Sequence, residues 1–161
     1  MAPLHYAASQ GEIKCLKELL LRGADIDARD DSGSTPLHWA REKVECMKEL
    51  LLRGADIEAK NNNGSMPLHS AASGGNIECV KELLLRGADI GVKSKNGWTP
   101  LHHASWEGNV ECVRELLLGG AQTEVKNKDG STPLHQAVSW GQLECLKELL
   151  LKGADTEAKD A

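Results

Sequence analysis

Apolar positions along the chain recur with helical spacing in short, regularly placed runs. In "NIECVKELLLRG" (76–87), Ile77, Val80, Leu83 and Leu84 fall at i, i+3, i+6 and i+7, one face of an α-helix. In the preceding "NGSMPLHSAASGG" (63–75), Leu68, Ala71 and Ala72 mark a shorter helix whose small residues let a neighbour approach closely. Proline suits its first position, where no backbone N–H is needed. Asn63-Gly64 opens this unit as a turn, and Gly74-Gly75 separates its two helices. Gly87 is placed to stop the second helix. Extended polar stretches such as "ADIEAKNN" (55–62) join one unit to the next. The pattern predicts a helix pair followed by a projecting loop.

That unit repeats. Pro3, Pro36, Pro67, Pro100 and Pro133 each precede Leu-His, at intervals of 33, 31, 33 and 33 residues. Cys15, Cys46, Cys79, Cys112 and Cys145 recur at 31, 33, 33 and 33 residues, as do Gly23, Gly54, Gly87, Gly120 and Gly153. The short step moves up one unit because the two missing residues lie between Pro36 and Cys46. In the second, fourth and fifth units a threonine precedes the proline, a good N-cap. No single unit can bury its apolar face, so neighbours must stack. The expected architecture is an all-α repeat solenoid, one domain over 1–161 divided near 1–29, 30–60, 61–93, 94–126 and 127–161.

The motifs "TPLHWA", "TPLHHA" and "TPLHQA", with weaker "APLHYA" and "MPLHSA", resemble the ankyrin repeat signature, and "GAD" recurs at the matching distance. The resemblance covers the whole chain. It implies stacked antiparallel helix pairs with β-hairpin fingers, and a concave face of finger tips and inner helices that binds other proteins. It also implies that His5, His38, His69, His102 and His135 are structural, each bridging its own and the adjacent finger loop.

Composition narrows the function. The 161 residues carry a formal charge of −5 and no Lys/Arg cluster, which weighs against nucleic acid as the partner. No run approaches the ~20 apolar residues of a membrane span. The amino terminus lacks the basic start and apolar run of a secretory signal. Equivalent cysteines in helices stacked ~8–10 Å apart are too distant for disulfides or shared zinc ligation. They are expected to be small, semi-buried core residues, and five unpaired thiols point to cytosol or nucleus. No P-loop, G-x-S-x-G or metal-binding motif is present, and nothing favours one repeat's histidine as a base over the other four. The chain is therefore expected to be non-enzymatic, with no cofactor and no metal. Its partner is expected to be another protein, the chain itself being monomeric or part of a longer one. Glu45–Lys48, Glu78–Lys81, Glu111–Arg114 and Glu144–Lys147 are spaced i,i+3 and mark a solvated outer face.

The pattern breaks in three places. Repeat 2, "TPLHWAREKVECMKELLLRG", is two residues short and has Arg41-Glu42-Lys43 where others have a glycine turn. An inner helix ended early by a tight turn is expected, the alternative being a partial merger of the two helices. Leu21, Leu52, Leu85, Leu118 and Leu151 fall within the polar arc of their helices. They are expected to pack under the following loop, the alternative being a second interaction surface. At the ends, neither terminal repeat has a polarised outer face, which points to a segment of a longer array or multidomain protein. The near-identity of "KELLLRGAD" between units fits recent duplication or a designed consensus equally.

Tryptophans stand out in a chain with one tyrosine and no phenylalanine. By the resemblance, Trp98 follows a finger glycine, while Trp106 and Trp140 lie on the groove side of repeats 4 and 5. These three are expected to centre a protein-binding surface, where each indole can bury ~150–250 Å². Around them the resemblance places Glu107, Ser139, His103, Lys95, Asn96, Lys128, Asp129, Asn62, Asn63, Asp31 and Ser32. Trp39 follows its motif histidine directly and is expected to be partly core, with Tyr6 and His103 at matching positions. Asp27, Asp30 and Asp31 make the first finger acidic, and Lys93 and Lys95 make the third basic, so a partner would carry acidic groups near repeat 4. Three functions remain open: an interaction module, the targeting arm of a larger enzyme, channel or ubiquitin-ligase adaptor, and a designed scaffold.

Overall fold

In the computed structural model, which describes residues 1–161, ten helices and no strands form five stacked pairs. The inner helices are α1 (Pro3–Gln10), α3 (Pro36–Trp39), α5 (Pro67–Gly74), α7 (Pro100–Glu107) and α9 (Pro133–Ser139). The outer helices are α2 (Ile13–Leu21), α4 (Val44–Leu52), α6 (Ile77–Leu85), α8 (Val110–Leu118) and α10 (Leu143–Leu151). Inner helices pack on inner, outer on outer, and each pair on itself. The core threads this stack through Leu37, Leu68 and Leu101 of the inner helices and Met47, Val80, Val113 and Leu149 of the outer ones. Ala71, Ala72 and Ala104 are fully buried, so inner helices pass closely.

Each outer helix ends in the same reversal. In the first, Gly23 adopts a left-handed φ of 84°, its N–H donates to the Leu20 carbonyl, and the Ala24 N–H donates to that of Leu19. This geometry decides the fate of the leucine row. The chain folds back over Leu19 and Leu20 and leaves Leu21 outside. Leu21, Leu52, Leu85, Leu118 and Leu151 are 72–83% exposed, so the expected packing under the next loop does not occur.

The fingers are tight turns rather than strand-bearing hairpins. In the second, the Asn61 N–H donates to the Ser65 carbonyl, while Asn61 Oδ1 accepts from the N–H groups of Asn63 and Ser65. Asp30 and Asn127 close their fingers in the same way. With the turn closed by its own side chain, little backbone is left to form a ladder. Successive fingers are tied by one backbone bond each, from the Asn62 N–H to Ser32, Lys95 to Asn63, Lys128 to Asn96, and Ala161 to Asp129, with side-chain bonds such as Asn62 Nδ2 to the Asp31 carbonyl added between the first two.

Repeat 2 takes the early turn. α3 has four residues, Ala40 caps it at φ −75°, ψ 13°, and α4 begins only at Val44. The Lys43 N–H donates to the Ala40 carbonyl at 2.9 Å, completing a turn without glycine. Arg41 and Glu42 face solvent, while Cys46 and Met47 keep their places in the stack.

Two further expectations are corrected. Tyr6 is 56% exposed and Trp39 36%, so neither is core; the Trp39 indole N–H donates to Asp30 Oδ2 at 2.8 Å, which draws the ring out over the finger. Of the threonines before proline, only Thr99 accepts from the helix backbone, at a long 3.4 Å from the His102 N–H. The Thr35, Thr99 and Thr132 hydroxyls lie 2.8–3.0 Å from the Nδ1 of their motif histidines, which draw them from the capping position.

Candidate partner-binding groove

The motif histidines set the finger geometry on which the groove depends. The Nε2 atoms of His5, His38, His69 and His102 lie 2.9–3.0 Å from the carbonyls of Ser34, Ser65, Trp98 and Ser131, one finger further along. A carbonyl only accepts, so Nε2 carries the proton. Nδ1 then accepts from the backbone N–H of the residue before the proline, at 3.1–3.2 Å in all five repeats, His135 included. A second proton on Nδ1 would face that N–H. Burial pushes His38 and His69 below the usual histidine range and His102 down to about 4, even though the carbonyl bond acts the other way.

On this frame the tryptophans meet. Trp98 ends the third finger, at the position held by Ser34, Ser65 and Ser131 elsewhere. Trp106 lies in the last turn of α7, and Trp140 caps α9 one repeat along. Trp106 is edge-on to both others, with ring centroids 5.7 Å apart in each pair and planes at 77° and 72°. Trp98 also covers His103, centroids 4.9 Å apart. Exposure rises along the ladder: Trp98 and Trp106 are half-buried, and Trp140 is 61% exposed.

The three indoles and His103 form one wall of a groove of about 440 Å³. The other wall is Asn63, Ser65, Ser94, Asn96 and Gln136, so no charged side chain lines it. His103 is pushed down to about 3, by burial first and by neighbouring His69 and His102, and contributes no charge either. The side chains of Asn63, Asn96 and Gln136 make no hydrogen bond within the protein, nor do the three indole N–H groups. The groove thus offers aromatic surface bordered by unused donors and acceptors. Such a combination suits an uncharged apolar segment whose backbone needs partners.

The structure therefore gathers Trp98, Trp106, Trp140, His103, Asn63 and Asn96 of the residues singled out by sequence. Glu107 and Ser139 are exposed just outside it, Glu107 accepting from the Ser73 hydroxyl at 3.2 Å. Lys95, Lys128, Asp129, Asn62, Asp31 and Ser32 are exposed on finger tips, strung along the edge rather than converging. Ser65, Ser94 and Gln136 belong to the groove but were not singled out; each comes from a different repeat and looks routine in its own. One signal was available for Gln136, which occupies the repeat position of His103.

The cysteines line no site. Cys46, Cys79, Cys112 and Cys145 are 0–1% exposed, and the thiols of Cys46 and Cys79 point at the Ala7 and Ala40 carbonyls of the preceding repeat. Burial pushes Cys79 up to about 12 and Cys112 and Cys145 to about 11. Cys15 is exposed.

A solenoid of five helix pairs, clamped finger to finger by histidine, belongs to the repeat proteins. The model for ankyrin repeats (three copies) matches residues 4–94, 41–127 and 68–160, and the chain belongs to the ankyrin repeat family. Ankyrin repeats are protein-interaction modules. Among curated proteins it is similar to protein phosphatase 1 regulatory subunit 27 of Homo sapiens and of Mus musculus, 50% identical over 40 residues in each case. That match spans 25% of this chain and 26% of each relative.

Proposed function

We propose that this chain is a non-enzymatic protein-binding module whose partner docks along the Trp98–Trp106–Trp140 groove. The observation that carries this reading is the perpendicular indole ladder, open on one side and lined without charge. Tryptophans in such settings dominate interface energetics, at roughly 2 kcal/mol or more each when truncated. The partner presents an uncharged apolar segment to the groove, with acidic groups beside the exposed tips at Lys95 and Lys128. A role as the binding arm of a larger assembly is the second reading, supported by the likeness to a protein named as a regulatory subunit.

The test is a displayed peptide library selected on the wild-type chain and counter-selected on a Trp106→Ala/Trp140→Ala variant. Recovered peptides should be apolar at the centre and should lose at least roughly tenfold in affinity on the variant. Peptides that bind both proteins equally, with the variant folded, would place the binding surface elsewhere.

A further inference from the structure

The polar groups along the groove are mostly of one kind, and this limits what can lie there. An indole N–H donates and cannot accept. Trp98, Trp106 and Trp140 place three such groups along the ladder, and none makes a hydrogen bond within the protein. The buried side-chain polar atoms that lack a partner are His103 Nδ1, Ser105 Oγ and Asn127 Nδ2, so the half-buried Trp98 and Trp106 keep their N–H groups open to solvent. Each of the unbonded amides of Asn63, Asn96 and Gln136 adds two donors against one acceptor oxygen. The groove is therefore rich in donors and has no charged side chain.

A complementary occupant brings acceptors without an equal number of donors. A helix brings neither, because its carbonyls and N–H groups are already paired, and it would leave the indoles unsatisfied. An ordinary extended segment brings one N–H with every carbonyl, and an N–H beside an indole faces another donor. The protein has no strand, so no sheet edge is present to accept those N–H groups. A polyproline II segment pairs none of its backbone groups internally, and each proline in it keeps its carbonyl while losing the N–H. Such segments are the usual occupants of aromatic-lined grooves.

The dimensions agree. Trp98 and Trp140 each lie 5.7 Å from Trp106 between ring centroids, so the ladder spans at most twice that. At ~3.1 Å per residue, about four polyproline II residues cover it. That helix has three residues per turn, so two prolines separated by two other residues share one face and both meet the ladder. The planes of the two indole pairs stand at 77° and 72°, so each pair forms a corner of one ring face and one ring edge against which a pyrrolidine ring can pack. We infer that the groove, taken as the docking surface proposed above, binds a proline-rich segment in the polyproline II conformation. Its prolines recur at every third residue against the indoles, and its backbone carbonyls accept from the indole N–H groups.

Fluorescence polarisation of a fluorescein-labelled peptide of about four Pro-Leu-Ala units, titrated with the whole chain, tests this. The wild type should bind it. Exchanging the peptide's prolines for alanine restores the N–H groups and should weaken binding by at least roughly tenfold. N-methylalanine, which lacks the N–H, should recover most of that loss. Trp106→Phe/Trp140→Phe keeps two aromatic rings and removes two donors, so it should bind the proline peptide at least roughly threefold more weakly. No binding of the proline peptide, equal binding of the alanine peptide, or unchanged affinity in the phenylalanine variant overturns the inference. If library peptides without proline still require Trp106 and Trp140, the groove stands as the docking surface and only its proline-rich occupant falls. Equal binding of the proline peptide to the wild type and to a folded Trp106→Ala/Trp140→Ala chain overturns both.

Discussion

The indole of Trp98 lies over the imidazole of His103 with ring centroids 4.9 Å apart, and His103 Nδ1 is buried without a hydrogen-bond partner. Its neighbour His102 is its opposite, with Nδ1 held by the Thr99 N–H and Nε2 by the Ser131 carbonyl. A buried unpaired polar atom costs about 1–3 kcal/mol. His103→Leu, which keeps apolar cover for Trp98, should therefore leave stability unchanged or raise it by about 1 kcal/mol. His102→Leu should lower it by about 2–4 kcal/mol, because two backbone groups lose their partner. Urea melts of the two variants check this; equal losses would mean that His103 has a partner in solution.

Folding keeps these imidazoles neutral, which makes the array acid-sensitive. The unfolded chain binds protons near pH 6.5. The folded chain does so only near 4 at His102 and 3 at His103, with His38 and His69 also lowered, all by burial first. Stability from these groups is full above pH 6.5 and is lost as pH falls toward the folded values. Each contributes up to about 1.4 kcal/mol per pH unit in that window. Asp30, where hydrogen bonds from Ser32, Trp39 and the Ser34 N–H outweigh burial and hold the carboxyl at about 2, adds the same direction below pH 4. Urea melts at descending pH should show a steep loss between 6.5 and 4, shallower in His102→Leu. A flat profile over that range would contradict the neutral bridges.

The stack was legible because its period is written in residues whose chemistry leaves little choice: proline at a helix start, glycine at its end, alanine where helices touch. The leucine row was misread because a helical wheel says which way a residue points but not where the chain goes next. Only the reversal at Gly23, with Ala24 reaching back to Leu19, shows that nothing follows over Leu21. The groove was half legible. A tryptophan announces itself, while Ser94 and Gln136 matter only because stacking brings three repeats to one place.

Left-handed glycines are not equivalent. Gly87 (φ 89°) has open space where a Cβ would go, whereas at Gly97 (φ 77°) it would come 3.0 Å from Asn127 Cα in the next finger. Gly87→Ala should cost about 1 kcal/mol of backbone strain. Gly97→Ala should cost clearly more, because backbone must move and the finger pairing at Asn96–Lys128 opens with it. Thermal melts rank them, and a larger loss at Gly87 would contradict the close approach.

Thiol chemistry should separate one cysteine from four. Cys15 is exposed, while the other four are buried. A thiol reagent near pH 8 should modify Cys15 in the native chain, with the remaining four reacting only on unfolding. Peptide mapping reads the site directly, and fast labelling of Cys79 would mean that repeats 2 and 3 part readily.

Trp98 and Trp140 should divide stability from binding. Trp140 is 61% exposed and touches the ladder at one edge, so Trp140→Ala removes little buried surface and should shift stability by less than about 1 kcal/mol. Trp98 covers His102 and His103 and meets Trp106, so Trp98→Ala uncovers two buried imidazoles and should cost about 2–4 kcal/mol. Its carbonyl, which takes the His69 Nε2–H bond, is backbone and survives, so the fold persists for a binding measurement. Both variants should lose affinity for a groove-binding peptide, and only one should lose stability. Equal melting losses would make Trp140 part of the packing. Intact binding in Trp140→Ala would confine the groove to Trp98 and Trp106.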